Sequence, residues 1–362
     1  MYKVTIVAGA RPNFMKIAPI IHEIHNVQKK GALIDYRLVH TGQHYDKKLS
    51  GSFFEQLQIP EPHVNLECGG GTQAEQTANI MVKFEKYLLD NPCDLVLVVG
   101  DVTSTMACAV VAQKLKTKVA HVEAGIRSND WSMPEEINRL ITDSITNYFF
   151  TTSELANQNL KANGIDKEKI FFVGNTMIDT LLKQRPNFVK PQVWNDLDLQ
   201  EKEYFVITLH RPANVDHENS LKAMMQEIIA NTQDLPLIFP MHPRTAKIFN
   251  SLGIVHERLH IVDPLSYLEF NYLVEKAKAV ITDSGGITEE TTIMNVPCLT
   301  LRDNTERPET ITLGTNELVG TNPDNMAPYL NKLFKGDWKT ANEIPLWDGN
   351  TAERIVSAIL TF

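Results

Sequence analysis

Residues 282–290 read TDSGGITEE and follow the apolar run Ala277-Lys278-Ala279-Val280-Ile281. A strand that passes through Ser284, Gly285 and Gly286 into a helix leaves backbone N–H groups facing forward at the helix start. Those donors and the positive end of the helix dipole suit a phosphate, and glycine lets the phosphate come close. The plainer reading of the same stretch is a tight turn with a helix cap. Glu290 lies more than a turn further in, where a carboxylate can accept hydrogen bonds from two hydroxyls of a ribose. A nucleoside diphosphate offers both groups at about that spacing. Glu289 reads as solvated.

Other strand-like runs end in chemically capable residues as well. Arg11 follows KVTIVAGA, Gln43 and His44 follow YRLVHTG, Asp101 follows DLVLVVG, and Glu123 ends KVAHV. His210 and Arg211 follow YFVITL, and His242 and Arg244 follow LPLIFPM. In open parallel sheets ligands bind beyond the carboxyl ends of strands, so this distribution argues for an enzyme. Lys16 lies five residues after Arg11 in the following helix, with a solvated lysine as the plainer reading. In the run PEEINR, Pro134 marks a helix start. Glu135 and Arg139 are four apart and share a face, as they would in a surface ion pair, whereas Glu136 and Asn138 point elsewhere.

The elements that must position these groups alternate in type. YKVTIVAG, YRLVHTG, DLVLVVGD, KVAHVEAG, NYFFTTS and IFFVGN are short and rich in β-branched residues. Helical patterns such as MKIAPIIHEIHNV and STMACAVVAQKL separate them. That alternation predicts a parallel sheet wrapped by helices. A polar stretch carrying prolines follows, RPNFVKPQVWNDLDLQEKE, and the alternation restarts with YFVITLH, LPLIFPMH, LHIVD, AKAVITDSGG and VPCLTLR. The fold class is therefore α/β, with two Rossmann-like halves, residues 1–173 and 174–349, and a cleft between them. A chain of 362 residues is also long for one core, since single cores stop growing at roughly 250–300 residues.

Composition narrows the partners. The net charge of −9 and the lack of a basic block argue against a nucleic-acid or anionic-membrane partner. No stretch approaches the roughly 20 apolar residues that cross a bilayer, and the N-terminus reads as a strand rather than a signal peptide. Cys68, Cys93, Cys108 and Cys298 are scattered, which reads as reduced thiols in a cytoplasmic protein and not as a zinc site. There is no G-x-G-x-x-G for a nicotinamide, no Walker lysine loop and no H-E-x-x-H, so no cofactor and no metal are expected. The D-x-D at 196–198 falls in the polar stretch. Ser284 lacks the G-x-S-x-G elbow of a hydrolase nucleophile.

The ordered motifs GARPNFMKIAPI, TGQHYD, GDVTST, HVEAGIRS, PEEINR, VGNTMID, LHRPANVD, TDSGGITEE and RDNTERPE resemble the non-hydrolysing UDP-N-acetylglucosamine 2-epimerases over nearly the whole chain. The resemblance implies a glycosyltransferase-B-like fold, a helix near 350–362 returning to the first domain, UDP binding in the second, and a homodimer. It assigns Asp101, Glu123, Glu135 and His210 to catalysis. It puts Arg11, Lys16, Arg139, His242, Ser284, Gly285, Gly286, Glu290 and Arg307 on a UDP-sugar substrate. Asn13 stands where many relatives carry an acid, and HRPANVD replaces an HRRENFG-like run. TGQHYDKKLS differs from the run found in relatives with a second nucleotide-sugar site, so the resemblance does not carry activation by substrate to this chain. Related enzymes act on diacetamido-uronic acid nucleotides.

Inverting C2 of such a sugar requires removing a hydrogen that is not next to a carbonyl. Without nicotinamide, the open route expels UDP from C1 while a base takes the C2 proton, giving a glycal that then re-adds both on the other face. The leaving diphosphate needs cations and N–H donors, and the proton transfers need carboxylates whose pKa values neighbouring charges hold apart. A glycosyltransferase, a hydrolysing epimerase and a nucleotide-sugar sensor are the rival classes.

Overall fold

The computed structural model describes residues 1–42, 54–209, 218–241, 246, 249 and 253–362. Gln43, His44, His210, Arg211, His242 and Arg244 lie outside them. The chain divides into two compact units, Met1–Lys183 with Pro345–Phe362, and Gln184–Ile344.

The first unit is built on β1 (Tyr2–Ala8), β2 (Ile34–His40), β3 (Val64–Asn65), β4 (Leu95–Val99), β5 (Lys118–Val122), β6 (Tyr148–Thr151) and β7 (Ile170–Phe172). They pair in parallel in the order β3-β2-β1-β4-β5-β6-β7. All five residues of β4, LVLVV, are buried. A strand covered by helices on both faces has no solvent side, so its sequence is a continuous apolar run. Each such side chain contributes roughly 1.5–3 kcal/mol when fully buried. The helices are α1 (Arg11–Lys29), α2 (Gln73–Asp90), α3 (Thr103–Lys114), α4 (Pro134–Ile145), α5 (Glu154–Ala162) and α6 (Thr176–Gln184). Local signals start several of them. Thr72 and Glu75 close a capping box on α2, and Pro134 opens α4 with Glu135 and Glu136 in its first turn.

Residues 174–183 belong to the first unit. In α6 the Thr180 hydroxyl donates to the Met15 carbonyl at 2.6 Å. The Asp179 carboxylate accepts from the N–H groups of Thr351 and Ala352 at 3.1 and 2.7 Å. Those two N–H groups open the last helix, Thr351–Ile359, which packs on α1.

The second unit holds β8 (Phe205–Thr208), β9 (Leu237–Pro240), β10 (Leu259–Val262), β11 (Ala279–Thr282), β12 (Cys298–Thr300) and β13 (Asn316–Leu318). Their order is β10-β9-β8-β11-β12-β13, again parallel. Its core gathers Phe205, Ile207, Leu237, Phe239, Ile281 and Leu299 from the strands, with Met225, Ile228 and Leu330 from helices. The helices between the strands are α7 (Gln192–Asp196), α8 (Glu218–Asn231), α9 (Tyr267–Lys276), α10 (Gly285–Ile293), α11 (Pro308–Thr312) and α12 (Met326–Phe334). The Thr351–Ile359 helix is thus α13. Each sheet reverses its order once, at β1/β4 in the first and β8/β11 in the second. A doubly wound sheet opens a crevice at that point, beyond the strand ends.

Candidate active site

In the first unit the residues after β1, β4 and β5 converge. Asn13 is buried in the first turn of α1. Its amide oxygen accepts from the N–H groups of Gly9 and Ala10 at 3.0 Å each, and its amide nitrogen donates to the Val99 carbonyl at 3.2 Å. Asn13 therefore ties the turn after β1 to the end of β4. Gly9 permits the approach, because a Cβ there would lie 2.1 Å from the Ser104 hydroxyl. Arg11 opens α1 and is exposed.

Glu123 follows β5 with φ 70°, the left-handed region that a residue bearing a side chain rarely adopts. The neighbouring strand holds it there: Glu123 N–H and Ala124 N–H both donate to the Phe150 carbonyl, at 3.0 and 3.1 Å. The carboxylate is buried and accepts from Lys16 at 2.8 Å. Lys16 is therefore no solvated lysine; it neutralises the carboxylate at the end of β5.

Asp101 follows the Gly100 turn after β4, and 31% of its side chain is exposed, which leaves it reachable by a ligand. Its carboxylate accepts from Arg139 Nε and a terminal Arg139 nitrogen at 3.1 and 2.6 Å. Arg139 also donates to Glu136 at 2.7 Å, and Asn138 donates to the Asp101 carbonyl at 2.9 Å. These contacts correct the expectation for Glu136 and Asn138, both of which face the cluster. On α4 an arginine reaches i−3 as readily as i−4, and only Glu136 at i−3 is buried with it. Burial pushes the Glu136 carboxyl up. Hydrogen bonds from Ser128 N–H, Arg139, Asn129 N–H and the Ser128 hydroxyl outweigh that and hold it below the usual range. Glu135 is half-buried and makes no ion pair or hydrogen bond among the described residues.

In the second unit the strand–Ser–Gly–Gly–helix geometry is present. Ser284 caps α10 in an extended conformation without spending its hydroxyl on the helix. The first N–H groups of a helix have no intrahelical acceptor, and here glycine surrounds them. A Cβ at Gly286 would meet nothing within 4 Å; at Gly285 the nearest atom would be a guanidinium nitrogen of Arg302 at 3.7 Å. Sequence reasoning missed Arg302. It is buried and held by Glu306 at 2.8 Å and Asn304 at 3.0 Å, in a non-helical stretch where no spacing rule marks the pair.

Glu289 is not solvated. It is buried and ion-paired with Arg307, 18 residues on, a partner that no local pattern indicates. Glu290 is fully buried and accepts from the Tyr267 hydroxyl at 2.8 Å. Desolvation pushes its carboxyl up to about 7, with Glu289 adding to the rise and Tyr267 and Asn271 opposing it.

The geometry thus offers paired carboxylates at the switch point of one sheet and an open anion cradle with a buried carboxylate at that of the other. Residues 26–360 match the family described as UDP-N-acetylglucosamine 2-epimerase. A protein of that description from Methanocaldococcus jannaschii is 42% identical, with 99% of each chain covered. A UDP-2,3-diacetamido-2,3-dideoxy-D-glucuronate 2-epimerase from Pseudomonas aeruginosa is 38% identical over 89% of each chain. The crystal structure of the Methanocaldococcus jannaschii UDP-GlcNAc 2-epimerase in complex with UDP-GlcNAc and UDP superposes with a TM-score of 0.89 at 40% identity, covering 99% of this chain and 100% of that one. The architecture is accordingly the expected glycosyltransferase-B-like pair of parallel-sheet domains, and the chain belongs to the UDP-N-acetylglucosamine 2-epimerase family.

Proposed function

We propose that this chain interconverts UDP-N-acetylglucosamine and UDP-N-acetylmannosamine by eliminating and re-adding UDP. The observation that carries the reading is the strained Glu123, held by Lys16 beside the Arg139-bound Asp101, in a chain whose second sheet ends in an open diglycine helix start. In the forward step the C1–O bond breaks with its electron pair leaving on the diphosphate, and a carboxylate takes the C2 proton. In the return step a proton is added to C2 on the opposite face and the diphosphate oxygen re-forms the bond to C1.

Asp101, Glu123 and Glu135 are the proposed proton-transfer groups. His210, outside the described residues, is assigned to the phosphate or to the proton. Ser284, Gly285 and Gly286 would hold the diphosphate through N–H donors, with Arg11 and His242 as further ligands. Glu290 would accept the ribose hydroxyls. The pairings refine the remaining assignments. Lys16 and Arg139 act on the carboxylates they bind, and Arg307 acts through Glu289 at the cradle. The same reading makes the enzyme a cytoplasmic homodimer supplying polysaccharide synthesis; the free cysteines support a reducing compartment.

Incubation with UDP-N-acetylglucosamine alone, followed by proton NMR of the anomeric signals, tests the reading. An epimerase produces the manno isomer without an acceptor. Unchanged substrate points to a transferase, and accumulation of UDP with free N-acetylmannosamine points to a hydrolysing enzyme. Conversion of only a diacetamido-uronic acid nucleotide would move the assignment to the chemistry named for the Pseudomonas aeruginosa relative.

A further inference from the structure

His121 lies on β5 two residues before Glu123 and is fully buried. Its Nδ1 is 2.8 Å from the Asp143 carboxylate and its Nε2 is 2.8 Å from the Gly100 carbonyl. Both oxygens only accept, so both contacts are hydrogen bonds when the ring carries both protons. The second Asp143 oxygen accepts from Gly125 N–H at 3.0 Å and from Arg127 at 2.6 Å. Burial alone would raise the Asp143 carboxyl, and the bonds and charges of His121 and Arg127 outweigh it and hold it below the usual range.

Asp143 and Arg139 are four apart on α4, so one helix face sends two arms to one turn. Arg139 grips the Asp101 carboxylate directly. Asp143 reaches the preceding peptide through His121. Gly100 is held on its other side too, where its N–H, part of the Val99–Gly100 peptide, donates to the Val122 carbonyl at 3.0 Å. A Cβ on Gly100, which has φ 67°, would lie 3.3 Å from Lys16 Nζ, the partner of Glu123. Gly100 is thus the floor on which two of the three proposed proton-transfer carboxylates, Asp101 and Glu123, are registered.

Resting on the epimerase reading, we infer that His121 is a positioning residue that, braced by Asp143, sets the Gly100–Asp101 turn against Glu123 and never touches substrate. Misplacement of a reacting group by about 1 Å costs on the order of 100-fold in rate, so its loss should fall on turnover and not on nucleotide binding.

Three variants test this. In His121→Gln the amide reaches the Nε2 position and keeps the bond to Gly100. In His121→Asn it reaches the Nδ1 position, keeps Asp143 and abandons Gly100. In Asp143→Asn the side chain can donate to a neutral ring that still donates to Gly100. Turnover with UDP-N-acetylglucosamine should fall about 100-fold in His121→Asn and less than about tenfold in the other two. UDP affinity by calorimetry should stay within about twofold in all three. Equal losses in the Asn and Gln variants, wild-type turnover in His121→Asn, or UDP affinity falling in step with turnover would each overturn the inference. A wild-type enzyme that leaves the substrate unchanged would instead remove the reading on which it rests.

Discussion

The two sheets share a winding pattern, yet their strand ends present different groups at the switch point. In the first unit the carboxylates at the switch point are matched by cations: Glu123 by Lys16, and Asp101 and Glu136 by Arg139. In the second, Glu289 and Glu306 also have arginine partners, but Glu290 is buried against a tyrosine hydroxyl and its carboxyl rises to about 7, while the turn beside it is glycine backbone. The difference follows from what each end would handle. Proton transfer needs an acceptor on one face and a proton donor on the other, both held in fixed geometry. A diphosphate and a ribose need N–H donors and a hydroxyl acceptor, and a cradle without side chains lets them approach.

The largest effect expected from breaking this contrast lies in the first unit. Asp101→Asn, Glu123→Gln and Glu135→Gln should each lower turnover by roughly 100- to 10,000-fold, the range for a removed acid or base. UDP-sugar binding by calorimetry should be retained. Near-normal turnover in any one of them takes that residue out of the mechanism. Arg139→Ala should cost about 3–5 kcal/mol of stability in denaturant titration, because Glu136 is left buried without its cation. A change below about 1 kcal/mol would show the pair to be dispensable.

Glu290→Gln sharpens the other half. A carboxyl raised from 4.5 to about 7 on folding favours the protonated folded state. Its contribution is fully present below pH 4.5 and lost as the pH rises through 7, by about 3 kcal/mol in all. The glutamine variant should therefore be more stable than the wild type at pH 8 and no more stable at pH 4.5, read by denaturant midpoints, while binding UDP about tenfold more weakly through the lost ribose contacts. Equal midpoints of the two proteins at pH 8 would contradict the burial argument. The smallest effect belongs to Gly286→Ala. Open space lies where its Cβ would go, and alanine favours helix, so stability should change by less than about 1 kcal/mol. UDP affinity should fall. Gly9→Ala is the converse, since its Cβ strikes Ser104, and it should lower the melting temperature.

The contrast also shows what the sequence makes legible. Strands buried on both faces announce themselves as apolar runs, so β4 and β11 are plain. β3 and β13, with two and three residues at sheet edges, carry too little pattern to be read. At the site, Asp101, Glu123 and Ser284 are marked by their place after a strand. The choice between Glu135 and Glu136 as partner of Arg139 turns on burial, which helix spacing does not encode. Glu289 needed a partner 18 residues away. Asn13 and His121 act through backbone atoms brought close only by the fold, 86 residues apart for Asn13 and Val99.

Proton exchange at the sugar carbon tests the central claim most directly. The wild-type enzyme, with UDP-N-acetylglucosamine in heavy water, should yield product carrying deuterium at C2, seen as loss of the C2 proton signal by NMR. Product formed with its C2 proton intact would contradict the elimination and re-addition of UDP.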